Sequence, residues 1–159
     1  MKQLTLVLVH QHPKVLLGLK KRGFGEGRWN GFGGKVEEGE TVEEAARREV
    51  SEEVGLTLND LDKVGILKFE FEDDAKELEV HLFRAEDISG EPMETEEMKP
   101  EWFHVDDIPF AQMWPDDIHW FPYFLERKKF KARFKFDKPS GSEFTSTILE
   151  QEINEVDEI

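Results

Sequence analysis

The 159-residue chain has no cysteine. That excludes disulfides, thiolate metal sites and a cysteine nucleophile together. Long apolar runs are missing as well. The stretch Leu4-Thr5-Leu6-Val7-Leu8-Val9 near the start is too short for a secretory signal, and no segment approaches the roughly 20 apolar residues that a membrane-spanning helix requires. The expected location is the cytosol, with a nuclear or mitochondrial pool left open. Positive charge is scarce: 21 Lys and Arg face 36 Asp and Glu, a formal net charge of −15. Such a field repels polyanions and argues against a general nucleic-acid binder. It opposes a phosphate-bearing ligand equally unless a cation intervenes, which points to a divalent metal for any such ligand. The five histidines (His10, His12, His81, His104, His119) show no ligand spacing and are given no role.

The length suits one compact domain over residues 1–159, read here as a monomer. Leu4–Val9 and Val15–Leu19 read as neighbouring strands joined across Pro13. Gly23 to Gly34 is rich in glycine and aromatics, which predicts a structured loop. Thr41 then opens a helix, with Glu44 in capping-box spacing and Gly55 as its stop. Strands are predicted at 64–71, 79–85 and 101–105, with 86–97 an acidic loop. A second helix starts at Pro115-Asp116-Asp117. Phe130, Ala132, Phe134 and Phe136 alternate with Lys131, Arg133 and Lys135, a period of two that predicts a strand; its lysines suggest a guarded sheet edge. After a turn at Pro139 to Ser142, residues 148–156 return as its partner. The coarse reading is an α/β protein with a mixed sheet covered by helices.

The chemistry gathers in Gly34 to Leu56. At about 100° per helical residue, Glu49, Glu52 and Glu53 fall on one arc, while Ala46, Val50 and Val54 form an adjoining apolar stripe. Three like charges so close repel one another and raise one another's pKa values. A divalent cation reverses that sign, since hard oxygen donors are what Mg²⁺ selects, and Arg48 can brace the acids from the flank. The plainer reading is a solvated acidic face, common in so acidic a chain. The flanking Gly33-Gly34 and Gly55 favour a ligand site instead.

This segment matches G-x5-E-x7-R-E-U-x-E-E-x-G-U, with U apolar, at every specified position: Gly34, Glu40, Arg48, Glu49, Val50, Glu52, Glu53, Gly55 and Leu56. It resembles the signature of the Nudix hydrolases. The resemblance implies an α/β/α sandwich around a mixed sheet and hydrolysis of a nucleoside diphosphate linked to another group. Gly23 to Lys35, Phe69-Glu70-Phe71 and Trp114-Pro115-Asp116-Asp117 look like the branch that hydrolyses oxidised purine nucleoside triphosphates, the eukaryotic MutT homologues. The likeness runs from Leu4 to about Phe136, and no role is carried beyond it.

By that resemblance Glu49, Glu52 and Glu53 are catalytic carboxylates and Mg²⁺ ligands, with Glu53 the essential one. Glu97 is an additional ligand or a base, and the backbone carbonyls of Gly33 and Gly34 are further ligands. Lys20 and Lys35 are phosphate or sugar contacts. Asn30, Asp116 and Asp117 read the base, although an Asp after Trp114-Pro115 is also a natural helix cap. Two adjacent carboxyls in an apolar pocket need not both be ionised, and exchanging one proton between them would let a single pocket accept both oxidised guanine and oxidised adenine. Thr5, Phe32, Phe69, Met98, Trp114, Pro115 and Trp120 are expected to line the substrate, with Phe24 and Phe71 further candidate walls. About half of the candidate aromatic walls are expected to be core instead. The expected products are a nucleoside monophosphate and pyrophosphate. Two other readings stay open: a Nudix enzyme for dinucleotide polyphosphates, capped RNA ends or nucleotide sugars, and a catalytically silent nucleotide or metal sensor.

Overall fold

The computed structural model describes every residue except 24, 73 and 138–145. Phe24 as a pocket wall and the turn expected at Pro139 to Ser142 therefore lie outside the described residues. The expected mixed sheet is present. Its strands are β1 (Lys2–Gln11), β2 (Lys14–Lys20), β3 (Trp29–Asn30), β5 (Asp62–Phe71), β6 (Asp74–Ala85), β8 (Met98–His104), β9 (Lys129–Phe136) and β10 (Ile148–Val156). They run in the order β10-β9-β5-β6-β1-β2-β3, with β8 along β2. The β1–β6 and β5–β9 pairs are parallel, and the other pairs of this sheet are antiparallel.

One helix covers each face. Helix α1 (Val42–Val54) begins on Thr41, whose side chain accepts from the Glu44 N–H while the Glu44 carboxylate accepts from the Thr41 N–H, both at 3.0 Å. It ends on Gly55 at φ 71°, where the N–H donates to the Ser51 carbonyl. Val50, Val54 and Ala46 pack there with Val7, Val9, Leu16 and Phe32. On the other face α2 (Asp117–Leu125) buries Trp120, Phe121 and Phe124 against Leu6, Leu82 and Phe130. The Arg84 guanidinium sits over the Phe124 ring and donates to its carbonyl, anchoring the far end of α2 on β6. Among the described residues, no helix is long and apolar enough to cross a membrane.

Two expectations need correction. Part of the acidic segment expected to be loop forms a strand, β7 (Ile88–Ser89), paired with β4 (Thr57–Leu58). The pair is held from outside, because the Asp60 carboxylate accepts from the N–H groups of Glu86 and Asp87. Strand β9 does not form the sheet edge either; it lies between β5 and β10. Its basic side chains meet acids on both neighbours: Arg133 pairs with Glu70 at 2.9 Å and Glu150 at 3.3 Å, and Lys135 with Glu150 at 3.6 Å. The alternating phenylalanines face the α2 core. Four large apolar side chains (Met1, Met93, Ile118, Leu149) are exposed among the described residues, widely separated in sequence.

Candidate active site

The apolar stripe of α1 faces the sheet, and this turns Glu53 inward beside it. Its side chain is buried, 2% exposed, and accepts the Gly33 N–H at 2.8 Å. The glycine loop has to approach this closely. A Cβ on Gly33 would stand 1.9 Å from the Thr5 carbonyl oxygen, and one on Gly34 would meet the Glu49 carboxylate at 2.8 Å. Only residues without a side chain let the loop lie between β1 and the acids. Burial pushes the Glu53 carboxyl up to about 8, with the nearby Glu49 and Glu97 charges adding to the rise; Lys20 and the Gly33 N–H oppose it. Glu49 is raised too, by burial first and by Glu52 and Glu97, against the pull of Arg48. The loop bearing Glu97 is tied to the end of α1, since the Thr95 hydroxyl donates to the Glu53 carbonyl at 2.8 Å.

Arg48 organises the outer side. Its Nε and Nη2 grip both oxygens of Glu40 at 2.7 and 3.0 Å, its Nη1 reaches Glu49 at 2.8 Å and Glu52 at 3.4 Å, and its Nη2 also donates to the Lys35 carbonyl. This planar fork fixes the glycine loop and the acidic helix face to each other. Of the neighbouring basic residues, Lys20 lines the cavity. Lys21 pairs with Glu94 and Arg22 with Glu96, which ties the acidic loop to the end of β2.

A cavity of about 520 Å³ opens from Glu53 across the α2 face of the sheet. At its far end the start of α2 brings in two carboxyls, Asp116 and Asp117, each 3% exposed. Asp116 stands at the N-cap position but makes no side-chain cap; its Oδ2 instead accepts from the Trp120 indole N–H at 2.8 Å. Burial raises both carboxyls. Asp117 is raised further because Asp116 lies beside it as a charge and as the acceptor of its hydrogen bond, while Arg28 opposes the rise. Asp116 is held lower by the Trp120 N–H and by Asp117 itself. Of these two buried neighbours Asp117 therefore holds a proton more firmly than Asp116, the pair being pushed apart in acidity. Asn30 lines the same cavity, its Oδ1 accepting from the Gly31 N–H at 2.9 Å. The Arg28 guanidinium is buried and lies 3.7 Å from the centroid of the Trp114 indole, which forms a wall there.

A glycine loop packed directly on a helix of acids, with a cavity opening beside them, coincides with a known domain. The family profile of the NUDIX domain matches residues 2–124. The chain belongs to the NUDIX family. It is 54% identical over 158 residues to the oxidized purine nucleoside triphosphate hydrolase of Danio rerio, covering 99% of this chain and 97% of that protein. The enzyme of the same name from Mus musculus is 54% identical over 153 residues, 96% of this chain and 94% of that one. The crystal structure of the mutator MutT protein from Bacillus halodurans superposes with a TM-score of 0.82 at 27% identity, covering 97% of this chain and 98% of that one.

Within this NUDIX cavity the structure gathers Thr5, Lys20, Asn30, Gly33, Gly34, Lys35, Glu53, Phe69, Met98, Trp114, Asp116 and Asp117, all singled out from the sequence, together with the candidate wall Phe71. Three expected substrate-lining residues lie elsewhere. Phe32 is fully buried on the α1 side with Val7 and Leu16, where its ring fills the space under the helix. Trp120 is 1% exposed and stacks on Phe121, so it acts on the cavity through its hydrogen bond to Asp116. Pro115 is not among the lining residues. Three charged lining residues carried no role in the sequence reading: Arg28, Lys2 and Lys76. Nothing local marks them, because each gains meaning only from a partner on another strand or loop.

NUDIX hydrolases require a divalent metal, and the donor set here fits one. Among the described residues, no three acidic or histidine side chains converge into a closed metal cage. Glu52 points outward at 56% exposure, while Glu49 is engaged by Arg48. The carbonyl of Gly34 accepts the Thr5 N–H at 2.8 Å. What remains is an open, oxygen-only arrangement around a buried carboxyl that is costly to ionise alone. A hard cation that keeps several waters and takes phosphate oxygens suits such a site.

Proposed function

We propose that the protein hydrolyses oxidised purine nucleoside triphosphates, of the 8-oxo-dGTP and 2-hydroxy-dATP type, to the monophosphate and pyrophosphate. The reading rests on one observation above the rest: two buried neighbouring carboxyls and Asn30 line the same cavity as Glu53. Oxidation turns a purine ring nitrogen from an acceptor into an N–H donor and sets a carbonyl acceptor beside it. A carboxyl pair sharing one proton offers both a donor and an acceptor, and moving the proton swaps them. Phe69, Leu67 and Trp114 supply apolar walls for the ring.

Each group of the chain has a task in this reading. Asn30, Asp116 and Asp117 bind the base, and Trp114 with Phe69 encloses it. Lys20, Lys35 and the N–H groups of the glycine loop orient the phosphates. Glu53, Glu49, Glu52 and Glu97, with the carbonyls of Gly33 and Gly34, would hold Mg²⁺. When bound, that cation neutralises phosphate charge and makes a water acidic enough to attack phosphorus. Arg48 keeps Glu49 aimed while Glu40 anchors Arg48. The substrate is a free nucleotide rather than nucleic acid, in keeping with the net charge of −15. We further propose a monomer acting in the cytosol.

The experiment is pyrophosphate release from dGTP, dATP, 8-oxo-dGTP and 2-hydroxy-dATP, with Mg²⁺ or with chelator. The oxidised pair should be hydrolysed at least about tenfold more efficiently than the normal pair, a margin of about 1.4 kcal/mol. Chelator should abolish the rate. Equal efficiency on all four would remove the assignment of base recognition to the carboxyl pair.

A further inference from the structure

Three lysines gather where the cavity opens. Lys2 starts β1 and stands opposite Leu78 of β6. Lys76 lies two residues before Leu78 on the same strand and so on the same face. Lys35 leaves the glycine loop and meets Leu4 in an isolated bridge. All three line the cavity, and Lys2, two residues before Leu4 on the same face of β1, is the diagonal neighbour of Lys35 across that bridge. Neither Lys2 nor Lys35 makes an ion pair among the described residues. This is unexpected in a chain with 36 acidic residues against 21 basic ones. Elsewhere lysines meet acids: Lys21 with Glu94, Lys128 with Glu155, Lys135 with Glu150. Two ammonium groups held together without a carboxylate repel, and the arrangement is relieved by an anion between them. The Lys2 ammonium is correspondingly easier to deprotonate, through partial burial first and then through Lys35 and Lys76.

Position selects the anion. Lys35 directly follows Gly34, which packs on the Glu49 carboxylate, so the lysines adjoin the acid-lined end of the cavity. The base-reading acids lie on α2. A nucleotide with its base at Asp116 and Asp117 and its anhydride at Glu53 must send the rest of its phosphate chain out past the acids. We propose that Lys2 and Lys35, with Lys76 beside them, form a subsite for the diphosphate portion of the nucleotide, the part that departs. The identity of this anion rests on the hydrolysis inferred above; the lysine cluster itself does not.

The test is calorimetric titration of the full chain with inorganic pyrophosphate, with and without Mg²⁺, and separately with a nucleoside monophosphate. In the Lys2→Gln/Lys76→Gln double variant, pyrophosphate should bind about tenfold more weakly, the scale of two partly screened charge contacts. Monophosphate affinity should stay unchanged, and Lys2→Arg should retain pyrophosphate binding. If the double variant melts lower than the native protein, Lys76→Gln alone, at an exposed position, gives the same reading on a smaller scale. No measurable pyrophosphate binding to the native protein, or unchanged affinity in the variants, overturns the subsite. An equal loss for monophosphate and pyrophosphate also overturns it, because the lysines would then act as a general field. Lysine-dependent pyrophosphate binding in a protein that does not prefer oxidised nucleotides would sustain the subsite while removing the substrate assignment.

Discussion

The Glu53 carboxylate accepts the backbone N–H of Gly33 at 2.8 Å. That single bond joins the acidic helix to the glycine loop and places a buried acid at the floor of the cavity. The contact exists because Gly33 lies against the Thr5 carbonyl, where any side chain would collide. Loop, strand and helix thus depend on one another at this point.

Gly33→Ala should therefore be severe. Its methyl group would need the space of a backbone oxygen 1.9 Å away, so β1 or the loop must move. A loss of about 2–3 kcal/mol in chemical denaturation is expected, with hydrolysis falling further than stability because Glu53 loses its positioning donor. Gly27→Ala is the control: nothing lies within 4 Å of its Cβ, and only its φ of 84° is strained. It should cost about 1 kcal/mol.

Arg28 should set both the wall and the acidity of the base site. Replacing it by Met removes the cation over Trp114, and kcat/KM for an oxidised purine should fall about tenfold, chiefly through KM. Because Arg28 draws the Asp117 carboxyl downward, its loss should also move the ionisation of the pair to higher pH in the kcat/KM profile. The groups facing this pair are Arg28 from the glycine loop and His119 from α2. Arg28→Lys should restore the pH profile better than the KM, since it keeps the charge and loses the planar stack.

The carboxyl pair should tax stability at high pH. Folding raises the pKa of Asp117, so the folded state retains a proton that the unfolded chain gives up more readily. The linked stability is fully present below the unfolded value and is lost as pH rises through the folded one. Asp117→Asn carries no such charge. Its melting temperature should exceed that of the native protein at pH 8 by the equivalent of about 1–2 kcal/mol and converge with it toward pH 4. On turnover, Asp116→Asn and Asp117→Asn should penalise 8-oxo-dGTP and 2-hydroxy-dATP unequally; identical losses would remove proton exchange as the source of dual recognition.

Local chemistry explains which features were legible in the sequence. Helix α1 was readable to the residue because Thr41, Glu44 and Gly55 mark its ends through hydrogen bonds to near neighbours. Strand β9 was readable because a period of two survives over its eight residues, whereas β10, which carries no such period, was read only as its returning partner. Strands β3, β4 and β7 have two residues each and carry no period at all. The interior position of β9 depends on its parallel pairing with β5, sixty-five residues earlier in the chain. At the site, the acids on α1 announced themselves by helical spacing. The roles of Arg28, Lys2 and Lys76 did not, since their partners come from distant elements. Phe32 and Trp120 read as cavity walls, and only the two-sided packing of the sheet shows that they serve the core.

The account depends most on Glu53 as a buried carboxylate that works with a divalent cation at the anhydride. The measurement is single-turnover hydrolysis of 8-oxo-dGTP by Glu53→Gln in saturating Mg²⁺, beside nucleotide binding by the same variant. The rate should fall by about 10³-fold or more with binding retained within about threefold. A Glu53→Gln protein that turns over within about tenfold of the native rate would contradict the account.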